Sequence, residues 1–296
     1  PYQSNPVAWD TVLQNLKEMN FDGVELGGFP PHPNPDDYAD KESRAKLVQQ
    51  MKDIGLEFSG IAANLWGQKL INTADNTGYI NQFRKNLDFC VDCGIPGLRV
   101  DTVQPPTIFD EVDYDTAFKR VVETWKVCVK EAADKGVYVT WEFEPGFAFN
   151  KPSDIINIID AVNHDNFGVQ LDTCHAQMVA KYGARQPGEK ETLPGGALEL
   201  DLQLVADDHV AQRRGLGDAE DVDQAIAGVS LLEVLALGHG ASSGQVRESS
   251  RRRSSQRRWA VVRPCQRSWS TQCTYTVRCA GVSSRTVCST KRRNAG

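Results

Sequence analysis

The chain has 296 residues, with 33 Lys and Arg against 39 Asp and Glu, for a formal net charge of −6. Apolar residues make up 40% of it, enough to bury the core of one large domain or two ordinary ones. No run of about 18 apolar residues occurs, so no membrane-spanning helix is expected; Pro1-Tyr2-Gln3 starts no charged-then-apolar leader, so no signal peptide is expected and the start reads as a cut inside a longer protein. In chain order, "AWDTVLQNLKEMN" (8–20) has helical spacing, and "GVEL" (23–26) is a short apolar strand before a Gly/Pro-rich loop. "ESRAKLVQQMKDIG" (42–55) is an amphipathic helix closed by glycine, and "LEFSGIAAN" (56–64) a strand. "GYINQFRKNLDFCVDCG" (78–94) is a helix, "GLRVDT" (97–102) a strand, and "DTAFKRVVETWKVCVKEAADKG" (115–136) a long helix. The strand at 137–144 precedes a helix at 152–162, the strand "FGVQLDT" (167–173), and a helix or loop at 175–183.

Strand and helix thus alternate about every 35 residues, which implies a parallel sheet covered by helices. Five strands fall between residues 23 and 173. The fold expected is an α/β, eight-stranded β/α (TIM) barrel, incomplete at the N-terminus and degraded after about residue 200. A doubly wound open sheet is the alternative, but no dinucleotide-type glycine fingerprint follows the first strand.

Charge divides the chain. Residues 247–296 hold 13 Lys and Arg and one acid; the remainder holds 20 basic and 38 acidic residues. The expected organisation is a partial barrel over 1–200, a segment over 201–240 with residual helical pattern, and an Arg/Ser/Cys-rich tail over 241–296. That tail reads as a basic arm, a small cysteine-rich module, or an out-of-frame translation, and its Arg-rich, Lys-poor composition fits the last best. Such a tail binds nucleic acid non-specifically at low salt. Cys90, Cys93, Cys128 and Cys174 are scattered through the acidic body, as suits reduced thiols in a cytoplasmic protein. The Cys90-x-x-Cys93 pair lacks a second pair and reads as two buried small side chains.

The chemistry concentrates in "VYVTWEFEPG" (137–146). Side chains alternate along a strand, so Glu142 and Glu144 share a face and Trp141 and Phe143 take the other. Pro145-Gly146 ends the strand, which puts both carboxylates at the rim where barrel enzymes build their sites. The next strand ends in Asp172, with His175 three residues on. Glu142, Asp172 and His175 from adjacent strand ends suit a divalent cation such as Mn²⁺, Mg²⁺, Co²⁺ or Zn²⁺. The structural alternatives are an ion pair for a glutamate and a helix cap for Asp172.

"VYVTWEFEPG…KPSDI…FGVQLDTCHAQM", with "GVEL" and "GLRV", resembles the sugar phosphate isomerase/epimerase family, the xylose isomerase-like barrels, over about residues 1–196. The resemblance implies a divalent metal held by a Glu, an Asp, a seventh-strand His and an eighth-strand Glu. Carried over, Glu142 and Asp172 are the first two ligands, His175 touches the metal or substrate oxygens, and Glu144 is the fallback for Glu142. "DDHVAQRRG" offers His209 alone for the third ligand, and no eighth-strand Glu is found, which suggests a reading frame lost between Gly196 and Asp208. The implied reaction is proton transfer next to a carbonyl of a sugar, sugar phosphate or polyol, through an enediolate, with Glu142 and His175 as catalytic residues. Glu25, Asn64 and Asp101 end earlier strands and are substrate-binding candidates, as are Glu144, Trp66 and, for a phosphate, Arg185. Trp9, Phe29 and Phe147 are candidate walls, His32 lies near the mouth, and His164 reads as a turn residue. Alternatives are an inactive truncated or frameshifted fragment and a related-barrel dehydratase; a zinc endonuclease is disfavoured by only five histidines. An oligomer is compatible with the sequence.

Overall fold

The computed structural model describes residues 7–206 and 259–261. Its strands are β1 (Gly23–Gly27), β2 (Glu57–Ala62), β3 (Gly97–Val100), β4 (Tyr138–Trp141), β5 (Phe167–Val169) and β6 (Trp259–Val261). Its helices are α1 (Trp9–Glu18), α2 (Lys41–Ile54), α3 (Thr77–Cys93), α4 (Tyr114–Asp134), α5 (Pro152–Val162), α6 (Thr173–Tyr182) and α7 (Ala197–Ala206). All pairings are parallel, in the order β5-β4-β3-β2-β1-β6. The five strands expected between residues 23 and 173 are β1 to β5. The other edge of β1 is paired by β6. The rest of the 201–240 segment beyond α7, the rest of the 241–296 tail, and His209 lie outside the described residues.

Local chemistry sets the element boundaries. Asp40 caps α2 by accepting from the Ser43 amide at 2.8 Å, and Gly55 closes it in the left-handed region at φ 71°. Asp113 caps α4 through the Thr116 amide, and Pro152 opens α5 where a missing N–H costs nothing. The helix or loop expected at 175–183 is a helix that begins at Thr173.

Alternation then sorts the strand residues. Val24, Leu26, Leu98, Val100, Val139, Trp141 and Phe167 are buried in the core beneath the helices. The Trp125 ring of α4 lies 5.3 Å from that of Trp141 and 5.7 Å from that of Phe167. The other face of the sheet curls on itself. Gln170, one residue past β5, donates from Nε2 to Glu25 of β1 at 3.2 Å, although three strands separate them. In a flat sheet those strands would stand about 19 Å apart, four spacings of ~4.8 Å, so the contact reports barrel curvature. Close packing inside shows at Gly97: a Cβ there would sit 2.2 Å from the Tyr138 ring, which crosses it to donate to the Ser59 carbonyl at 3.0 Å.

Four of the strands are shorter than the sequence pattern suggests. The expected 137–144 ends at Trp141, and 56–64, 97–102 and 167–173 contract to β2, β3 and β5. Each loses its C-terminal residues because apolar–polar alternation continues into loops where ladder pairing has stopped. Past the end of β4 the Glu142 amide still donates to the Val100 carbonyl at 3.2 Å. Among the described residues, no helix is long and apolar enough to cross a membrane.

Candidate active site

The inward face of β3 and β4 continues past their paired ends. Arg99 faces Thr140 in register, so Glu142 lies one inward position beyond it. Glu142 is 1% exposed and ion-pairs through Oε2 with Arg99 Nη1. Arg99 Nη2 reaches Asp101 Oδ2 at 3.6 Å. A charge this deep survives only when paired. Burial opposes the charge of Arg99, but the carboxylates of Glu142, Asp101, Glu25 and Glu144 outweigh it and hold its pKa above the ordinary arginine value. Burial pushes the Asp101 carboxyl up to about 6, against the pull of Arg99 and with Glu144 and Glu142 adding to the rise.

Above this pair, Glu142 Oε1 lies 3.8 Å from His175 Nε2, and Glu144 Oε2 lies 3.9 Å from the same nitrogen. One donor atom from each of Glu142, Glu144 and His175 falls within 4.8 Å of the others. His175 Nε2 is covered from solvent and makes no hydrogen bond among the described residues. Two carboxylate oxygens and an imidazole nitrogen with no hydrogen-bond partner among the described residues form a donor set that fits a divalent cation.

His175 is aimed by the start of α6. Asp172 is its N-cap, with Oδ1 accepting from the amides of Cys174 at 2.8 Å and His175 at 3.0 Å. The structure therefore brings Glu142, Glu144 and His175 together, and places Asp172 at the cap that orients His175, outside the three-donor group.

The other candidates are placed one by one. Glu25 is 7% exposed and accepts from Gln170, whose Oε1 in turn accepts from the Thr140 hydroxyl at 3.1 Å. Asp101 is 2% exposed, bound to Arg99 and to the Val103 amide. Half-buried Asn64 lies past β2, its carbonyl accepting from Gln82 at 3.1 Å. Trp66 is 58% exposed, its ring edge-on to Phe147 at 5.7 Å. Arg185 is exposed at φ 58°, with Nη1 beside Gly146 of the loop that carries Glu144. His32 is buried against Trp9, and burial lowers its pKa. His164 accepts from the Asn166 amide in the turn before β5. Cys90 and Cys93 are buried at the end of α3, and burial raises the Cys93 thiol to about 12, so neither is a ready nucleophile.

A family model described as xylose isomerase-like TIM barrel matches residues 13–221, more than half of the chain. The chain belongs to this family. Among solved structures, this xylose isomerase-like barrel is similar to a probable 3-DHS dehydratase from Bacillus anthracis, at 17% identity and TM-score 0.52, over 69% of this chain and 66% of that one. A xylose isomerase-like TIM barrel protein from Mycobacterium smegmatis in complex with magnesium is similar at 16% identity and TM-score 0.50, over 69% and 66%. A D-tagatose 3-epimerase-like protein is similar at 13% identity and TM-score 0.52, over 77% and 95%. The chain thus spans slightly less than two thirds of the first two. At such identities the likeness is one of fold. No curated protein sequence matches significantly.

Arg99, Gln170 and Thr140 are the site residues that sequence reasoning missed in this barrel. For Arg99 a signal existed: a charge inside the four-residue strand "GLRV", on the same face as Asp101. Gln170 carried none, because its partner Glu25 is 145 residues away.

Proposed function

We propose that this xylose isomerase-like barrel is an isomerase or epimerase of a sugar, sugar phosphate or polyol, and that it moves a proton on a carbon next to a carbonyl. The observation that carries this reading is the three-donor group of Glu142, Glu144 and His175, with His175 Nε2 covered and without a hydrogen bond. These three side chains would hold a divalent cation, which supplies Lewis-acid polarisation of the substrate's carbonyl and hydroxyl oxygens when bound. Glu144, at 22% side-chain exposure against 1% for Glu142, is the carboxylate that substrate can reach, and the oxygen it does not offer to the cation would take and return the proton. Glu142, clamped from below by Arg99, stays fixed. The exposed Trp66 ring, braced by Phe147, offers a flat apolar surface to a sugar face. Arg185, exposed beside Gly146, would be the group to meet an anionic substituent. Buried, free Cys90, Cys93 and Cys128 support a reducing, cytoplasmic setting. The proposed organisation keeps the barrel to about residue 200, followed by the 201–240 segment and the basic 241–296 tail.

The test is proton exchange. The dialysed protein, loaded with Mn²⁺ or Mg²⁺ and given a ketohexose in D₂O, should incorporate deuterium next to the carbonyl, read by NMR. A new sugar isomer confirms isomerisation or epimerisation, whereas loss of a hydroxyl reports a dehydratase. Absence of exchange with a panel of ketoses and polyols, together with no cation retained, would overturn the proposal.

A further inference from the structure

We propose that Arg99 is a positioning residue of the site: an internal counter-ion that ties up one oxygen of Glu142 and leaves the other facing Glu144 and His175. The geometry divides the carboxylate. Glu142 Oε2 takes the Arg99 ion pair, while Oε1 stands 3.8 Å from His175 Nε2. Arg99 comes from the neighbouring strand, one inward position below, so its guanidinium forms the floor of the donor group. Its side chain is 9% exposed, and its Nε is covered and makes no hydrogen bond among the described residues. The fork is thus spent on carboxylates, Nη1 on Glu142 and Nη2 towards Asp101.

Charge counting explains why such a residue is needed. Glu25, Asp101, Glu142 and Glu144 all act electrostatically on Arg99. Four carboxylates converging on a poorly solvated interior repel one another. One fixed positive charge lets the donors stand together before any cation arrives. The same charge opposes an arriving dication, so the barrel holds its cation preformed but exchangeable. Removing Arg99 therefore has two consequences of opposite sign: the cation-free protein weakens, and cation binding tightens. A packing role alone predicts the first without the second.

The experiment uses the full chain with Arg99→Met, Arg99→Lys, Glu142→Gln and the Arg99→Met/Glu142→Gln double variant. Thermal unfolding in chelator forms a double-mutant cycle that needs no cation. Each single change should lower the midpoint by about 10 °C, because Arg99→Met strands the buried Glu142 charge and Glu142→Gln leaves Arg99 with the longer Asp101 contact in place of its close ion pair, and the double variant should lose no more than the worse single. Strictly additive losses would overturn the counter-ion role. Mn²⁺ titration by calorimetry is the second arm, and it rests on the cation-site reading above. Arg99→Met should bind Mn²⁺ at least about tenfold more tightly than the parent, and Arg99→Lys should return to the parent's affinity. Equal or weaker binding by Arg99→Met would overturn the exchangeable-site consequence. If Arg99→Met unfolds in chelator, recovery of its fold on adding Mn²⁺ supports the proposal, and failure to recover while the double variant also stays unfolded refutes it. A parent protein that binds no Mn²⁺ removes the cation site, and the cycle in chelator still decides whether Arg99 is the counter-ion.

Discussion

On the outer face of β3 and β4, Leu98, Val100, Val139 and Trp141 are each at most 1% exposed and lie against α3 and α4. On the inner face, Arg99, Asp101, Thr140 and Glu142 are almost as deeply buried, at 8%, 2%, 5% and 1%. Depth is therefore not what separates core from site. The outer face is satisfied by dispersion and exclusion of water, which need no partner of a given type. The inner face depends on specific pairs: Arg99 with Glu142 and Asp101, and Gln170 with Glu25 and Thr140. A substitution outside should thus cost stability in proportion to volume, and one inside should act through charge and geometry.

The largest effect is expected inside. Glu144→Gln keeps the side chain's shape and removes its basicity; deuterium exchange should fall by roughly 10²- to 10⁴-fold, with the unfolding midpoint nearly unchanged. Exchange at the parent rate would return the proton-transfer role to Glu142. Outside, Trp141→Ala removes a ring that packs on Trp125 and Phe143 and should cost about 3–5 kcal/mol in denaturant unfolding. At temperatures where this variant is folded, its Mn²⁺ affinity should match the parent's, and a parallel loss would mean that the two faces are not independent.

Two smaller effects sharpen the boundary between support and chemistry. Asp172→Ala removes the α6 cap and should cost about 1 kcal/mol, while Asp172→Asn, still able to cap, should be near neutral. Mn²⁺ affinity in the Asn variant should stay within about threefold of the parent; a drop beyond tenfold would make Asp172 a ligand as well as a cap. His32 gives the smallest effect. Burial holds its folded pKa below the unfolded value of 6.5, so the unfolded chain binds the extra proton. Its contribution is whole above pH 6.5 and falls as pH drops from 6.5 towards the folded pKa. His32→Gln should flatten that part of the stability–pH curve, and an unchanged slope would place the proton elsewhere.

The order of the elements was legible because it rests on local periodicity. Residues 118–132 show helical spacing, "GVEL" and "GLRV" are apolar enough to be strands, and Gly55 and Gly94 mark helix ends by adopting a left-handed backbone. The pairing of Glu142 with Glu144 on one face was legible for the same reason, since a two-residue period needs no partner. Strand ends were less legible: where β4 stops depends on the neighbouring backbone, and the Glu142 amide still bonds the Val100 carbonyl beyond that end. Asp172 shows the limit for function. Its spacing from His175 suits a ligand and a cap equally well, and its Oδ1 is found at the cap.

By itself the sequence determined which residues alternate, which segments coil, and which carboxylates travel together, because those properties belong to a few consecutive residues. Only the tertiary structure decided that Arg99 sits beneath Glu142, that Gln170 closes on Glu25 across the curl of the sheet, and that Glu144 completes the donor group with His175. Those choices join residues 31 to 145 positions apart, and they follow from how far a parallel sheet bends and which buried charges must find one another.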